Sequence, residues 1–469
     1  MSIAGAQPQT GLNAREFALP ITIMLRYSAK LASDYPLPMI ACFLSRFLLK
    51  NAILALSVGM GLGCIVISVG VGAAIAQPES IKMTQEKQPS TVSSNPGELV
   101  RIKEAEWIKD YERYFARNFN APLRDISSIQ ALLGNNARQT GKRSAVLYIV
   151  TKPQTLELVL VTPDADAVRR SFDNVSSSEI KEVIKRFRNA VSNPDATHPD
   201  DYLGPSQQLY TYLIASFSEK LKDQKIDTIL FCVGAVLRST PFAALHDGKQ
   251  FLIEKFSIGL IPAFSSLDPD YQSIKNARVL AMGASEFKDL NPLPSVPQEL
   301  SAIIRSQGGN SFLNSQFTVK NLTLQREKNI FTILHLATHA NFQPGEVENS
   351  YLQFWDQKLS LDQLPNLRLQ SPLVDLLVLS ACQTALGDPH AELGFAGLAI
   401  QSGAKSVLGS LWSVSDAGTL QLMIQFYKQL KLSPIKAEAL RKAQVEILRN
   451  PSFSHPYNWS AFTMIGSPW

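Results

Sequence analysis

Two residues in this chain have the type and the setting for acyl-transfer chemistry. His339 stands at the end of FTILHLATHA (331–340) and Cys382 near the end of DLLVLSACQTA (375–385), each just past an apolar run. Runs rich in Val, Ile and Leu read as strands, and open α/β sheets gather reactive groups beyond strand carboxyl ends. The two residues are 43 positions apart, room for one βαβ crossover or for a loop with a hairpin. If the strands neighbour each other, imidazole and thiol come within reach. An unperturbed thiol ionises near pH 8.5, so an adjacent imidazole is what makes thiolate available to attack a carbonyl. Such a pair supports thioester formation followed by hydrolysis. The plainer reading stands beside it: a cysteine after a strand is commonly a small buried hydrophobe, and a histidine there a hydrogen-bonded filler.

His335 lies four residues before His339 but on the same apparent strand. Zinc pairing at that spacing requires a helix and a third ligand, so His335 reads as structural and neither metal nor cofactor is expected. Cys232 sits inside TILFCV (228–233) and reads as a buried strand residue. With Cys42 and Cys64 the four cysteines give no disulfide framework.

These residues need a scaffold, and the pattern supplies one. Short, nearly continuous apolar runs at 228–233, 256–262, 278–284, 331–337, 375–381 and 405–412 alternate with helical patterns at 296–306, 392–401, 417–430 and 435–448. That alternation predicts an α/β fold whose mostly parallel sheet is flanked by helices. Ahead of it, 98–120 reads as an amphipathic helix, 144–150 and 156–162 as a hairpin around Lys152-Pro153-Gln154, and 178–191 and 207–221 as helices. The expected division is a hydrophobic N-terminal helix within 1–76, a flexible linker at 77–97, a lead-in at 98–225 and a core at 226–469.

The whole chain has 469 residues, 18% of them charged, with a net charge of +5 spread along its length. About a quarter charged is ordinary. So small and diffuse a charge gives no reason to expect nucleic acid. Between Lys50 and Glu79 no charged residue occurs, and 51–76 (NAILALSVGMGLGCIVISVGVGAAIA) is long enough to cross a bilayer as a helix. The basic residues before it predict a cytoplasmic N-terminus. The run reads either as a retained anchor or, cut after Ala76, as a signal peptide, so the chain is expected to be membrane-anchored or exported.

Several ordered motifs resemble the CHAT domain family: HLATHA (335–340), VLSACQTALGD (378–388), ELGFAGLAIQSGAKSVLGSLWSVSD (392–416), VLRSTPFAALHDG (236–248), ALRKAQVEIL (439–448) and HPYNWSAFTMIG (455–466). The resemblance runs from about Arg124 to the C-terminus. It implies a caspase-haemoglobinase-like fold related to separase and the caspases, with His339 as general acid/base and Cys382 as nucleophile. The backbone N–H groups of Cys382 and Ala340 would form the oxyanion hole. It further implies a protein or peptide substrate, with SLWSVSD (410–416) lining the first specificity pocket, where Asp416 and Trp412 are candidates. Asp416 also reads as a cap for the helix from 417, and Asp388 and Glu392 as solvated loop charges. Three departures stand out. Ala340 occupies a position where caspases use Gly, Ser380 one where some basic-specific relatives carry Asp, and no 34-residue TPR period precedes the domain. The usual partner-recognition module is therefore expected to be missing or to sit on another chain as a separate TPR-type partner. The other reading is a catalytically silent interaction module. A thiol hydrolase or transferase for non-peptide substrates is a third.

Overall fold

The computed structural model describes residues 90–91, 95–193, 200–384, 388–433 and 435–469. They fall within one compact unit, Met83–Trp469. The expectations for 1–76, and for most of the linker, lie outside the described residues.

In chain order the strands are β1 (Ser90–Thr91), β2 (Ser144–Thr151), β3 (Thr155–Val161), β4 (Val168–Asp173), β5 (Thr228–Val233), β6 (Ser257–Ile261) and β7 (Val279–Gly283). They continue with β8 (Gly309–Leu313), β9 (Ile333–Phe342), β10 (Tyr351–Gln353), β11 (Lys358–Ser360), β12 (Leu376–Thr384), β13 (Ser406–Ser410) and β14 (Phe462–Gly466). All join one sheet in the order β1-β4-β3-β2-β5-β6-β14-β13-β12-β9-β10-β11, with β7 also paired to β9 and β8 to β7. The centre is mostly parallel, pairing is antiparallel along β1-β4-β3-β2 and β9-β10-β11, and the β7–β8 edge is parallel, a mixed α/β architecture. One reversal divides it. Strand β14 runs parallel to β6 but antiparallel to β13, so β2, β5, β6 and β14 point one way and β13, β12, β9 and β7 the other.

Burial on both faces explains the continuous apolar runs. Alternate residues of β2 feed two cores: Ala145, Leu147 and Ile149 pack with Phe187 and Val183, whereas Val146, Tyr148 and Val150 pack with Trp107, Ile129 and Leu133. The helices close where their sequences allow. Ser176 caps Ser177–Val191 by accepting from the Glu179 N–H at 3.1 Å, and Ile126–Thr140 stops at left-handed Gly141.

Two expected helices are broken. The pattern at 207–221 resolves into Leu203–Leu213, the 3-10 turn Ala215–Phe217 and Ser218–Asp223. The one at 392–401 divides into Pro389–Ala396 and Leu398–Ser402 around Gly397, where a Cβ would meet the Phe115 ring at 2.5 Å. The expectation of a membrane-anchored or exported chain is corrected: among the described residues no helix is long and apolar enough to cross a membrane. The longest of them, Pro96–Tyr114, carries nine charged side chains in its 19 residues.

That helix is fixed by a buried carboxylate. Glu104 accepts from the Tyr148 hydroxyl at 2.9 Å and from the backbone N–H groups of Phe264 and Ser265 at 2.8 and 2.7 Å. One side chain thus joins the helix to β2 and to the turn after β6. Glu104→Ala leaves three buried donors without an acceptor and is expected to cost about 3 kcal/mol. Urea denaturation measures it, and a loss below about 1 kcal/mol would contradict the assignment.

Candidate functional site

His339 and Cys382 lie inside strands, not just past them. Strand β9 runs on to Phe342 because it gains a second partner: Tyr351 and Leu352 of β10 pair antiparallel with Asn341 and Ala340. On its other side β9 pairs in parallel with β12, so the 43-residue separation is spanned by a loop with the β10–β11 hairpin. The register is Leu379↔Leu336, then Ala381↔His339 and Cys382↔Ala340, three steps of β9 against two of β12. Such a bulge bends a strand and redirects side chains locally. It brings the backbone of Cys382 level with Ala340, one position past His339. The Cys382 side chain is outside the described residues.

The imidazole of His339 is half-buried and held from one side. Its Nε2 lies 2.8 Å from the Asn291 carbonyl oxygen. A carbonyl only accepts, so Nε2 carries the proton and, in the neutral ring, Nδ1 keeps its lone pair. The Phe287 ring stands edge-on at 4.7 Å between centroids. Both contacts come from the loop between β7 and the helix Val296–Gln307. That loop is tied at each end, the Ser285 N–H to Asn314 Oδ1 at 2.9 Å and the Ser295 N–H to Asp416 Oδ2 at 2.7 Å. Close approach of β7 to β9 depends on Gly283, where a Cβ would lie 2.6 Å from the Ala337 carbonyl oxygen.

Asp416 therefore holds a loop, and the expected cap role belongs to Ser415, whose hydroxyl accepts from the Gly418 N–H. Trp412 is buried, with its indole N–H donating to the Tyr457 carbonyl at 3.1 Å. His335 is wholly enclosed. Its Nδ1 is 3.2 Å from the Tyr427 hydroxyl, and its Nε2 is 3.0 Å from Glu299 Oε1, off the line of a good hydrogen bond. Cys232 is buried beside Glu104, and burial followed by that carboxylate pushes its thiol well up, so it stays protonated.

One expectation is overturned. Glu392 is not a solvated charge: it is 3% exposed and pairs with Arg188 Nη1 at 2.7 Å, and Ser239 donates to the same oxygen. Asp388 caps the same helix, Pro389–Ala396, by accepting from the N–H groups of His390 and Ala391. The helix just after the Cys382 loop is thus gripped by Arg188 from Ser177–Val191 and by Phe115, which follows Pro96–Tyr114. Nothing in the sequence marks Asn291, because a backbone carbonyl serves whatever its side chain is. Arg188 is equally unmarked, lying 204 positions from its partner.

A family model for the CHAT domain matches residues 203–467. Tetratricopeptide repeat protein 28 of Mus musculus is 25% identical over 350 residues, covering 61% of this chain and 14% of that protein. The Homo sapiens protein of the same name is 36% identical over 329 residues, covering 56% and 13%. This chain thus spans about one seventh of the length of these curated relatives. Among solved structures, the Saccharomyces cerevisiae separase–securin complex aligns with a TM-score of 0.49 at 11% identity, covering 81% of this chain and 34% of that one. The Arg-specific cysteine proteinase gingipain R gives 0.37 at 11%, covering 62% and 74%.

Removing one member of a buried ion pair strands the other charge, so Arg188→Ala and Glu392→Ala are each expected to cost about 3–5 kcal/mol in urea unfolding. The double variant should lose markedly less than the sum of the two. Additive losses would show that the charges are not coupled.

Proposed function

We propose, from the premise that the chain belongs to the CHAT domain family, that it is a caspase-like cysteine peptidase working through His339 and Cys382. The observation that carries this reading is the β9–β12 ladder, in which Cys382 pairs with Ala340, the neighbour of His339. The Nε2 contact with Asn291 supports it, since it leaves Nδ1 as the basic atom.

In the proposed reaction Nδ1 takes the thiol proton and the thiolate attacks the carbonyl carbon of a peptide bond. The C–S bond forms as the carbonyl electron pair moves onto oxygen, an oxyanion facing the N–H groups of Cys382 and Ala340. Collapse breaks the C–N bond while the imidazolium protonates the leaving amine. Water, deprotonated by the imidazole, then cleaves the thioester and frees the thiol. The segment 410–416 is the proposed partner of the substrate backbone, with Trp412 and Asp416 bracing it. A TPR-type partner on a second chain fits relatives named for tetratricopeptide repeats, of which this chain matches only a small part.

A second reading, the catalytically silent interaction module, is favoured by Ala340. It is 1% exposed and paired on both sides, to Leu352 and to Cys382, a confined place for an oxyanion.

Labelling by a thiol-directed peptide probe separates the two. Cys382→Ser should abolish it, Cys232→Ser should leave it intact, and His339→Ala should slow it by about a hundredfold or more. Equal labelling of both cysteine variants, or none of the unaltered protein, would sink the peptidase reading.

A further inference from the structure

Phe287 has two sides: one edge meets His339, and the ring also lines a cleft of about 600 Å³. The cleft lies between residues 286–290, in the loop after β7, and residues 353–358, around the β10–β11 turn. Its size falls within the range of roughly 300–1,000 Å³ usual for ligand sites. Trp355 lines it and is 40% exposed, while the other four tryptophans, Trp107, Trp412, Trp459 and Trp469, are buried. An indole left open inside a cleft offers a flat apolar surface that also attracts cations.

The charges point the same way. Glu286, Asp289 and Asp356 line the cleft as exposed carboxylates, and none is engaged in an ion pair among the described residues. Lys288 and Lys358 also line it, Lys358 with its ammonium over the Tyr351 ring at 4.3 Å, so three carboxylates face two cations and one negative charge is in surplus. Open aromatic surface beside surplus negative charge suits a long side chain with an apolar stem and a cationic head.

We infer that this cleft binds an arginine or lysine side chain of an extended polypeptide. It would read that residue beside His339, separately from the 410–416 segment. The inference deepens the peptidase reading, but occupancy of the cleft does not require turnover.

Trp355 supplies the readout. Full-length protein carrying Cys382→Ser is titrated with two extended peptides, identical except for Arg or Glu at one position, and Trp emission is followed. The Arg peptide should change the emission saturably, with an affinity that falls as salt rises. Combining Glu286→Gln, Asp289→Asn and Asp356→Asn should weaken it about tenfold, and Trp355→Phe should remove the signal. Equal binding of the two peptides, unchanged affinity in the triple variant, or no emission change at all would overturn the inference. Loss of thiol labelling at Cys382 in the unaltered protein, with Arg binding intact, would instead count against the peptidase reading alone.

Discussion

The ladder between β9 and β12 is the constraint on which the rest of the molecule depends. Parallel pairing from Ile333↔Leu376 to Phe342↔Thr384 fixes which residues of two distant segments stand side by side. Parallel strands need a connection that travels back along the sheet, and here it contains a hairpin that pairs with β9 itself. The same stretch that returns the chain to β12 therefore also completes the strand carrying His339. The bulge then sets the final offset between the two strand ends.

Around that ladder the chain holds its functional side by ties from remote segments. Asn291 and Phe287 reach His339 from a loop anchored by Asn314 at one end and Asp416 at the other. Arg188, Ser239 and Phe115 hold the helix after Cys382. Arg188 and Phe115 precede the segment matched by the family model. The lead-in is thus part of the same packed body: β2 pairs with every residue of β5, from Thr228 to Val233, and Glu104 ties its first helix to the turn after β6.

Much of this was legible in the sequence. The continuous apolar runs predicted the buried parallel strands closely, because burial on both faces leaves few polar positions. The β2–β3 hairpin followed from Lys152-Pro153-Gln154 between two β-rich runs. Strands such as β4 (VRRSFD) and β8 (GNSFL) escaped notice because a margin strand is only part-buried and can stay polar. The strand extension to Phe342 was hidden for another reason. It rests on pairing with the far end of β12 and with β10, a three-residue partner with no pattern of its own. Glu392 was misread because proximity to a loop suggests solvent, and only the fold reveals a guanidinium 204 residues upstream. Chemistry supplied by a backbone carbonyl, as at Asn291, leaves no trace in residue types.

The reversal between β13 and β14 has one more consequence. Because strand directions oppose across it, strand carboxyl ends emerge along both the upper and the lower end of a single sheet. Loops at the carboxyl end of β6 can lengthen or change composition without disturbing those that border His339. The loops at the two ends are thus free to vary independently on one scaffold.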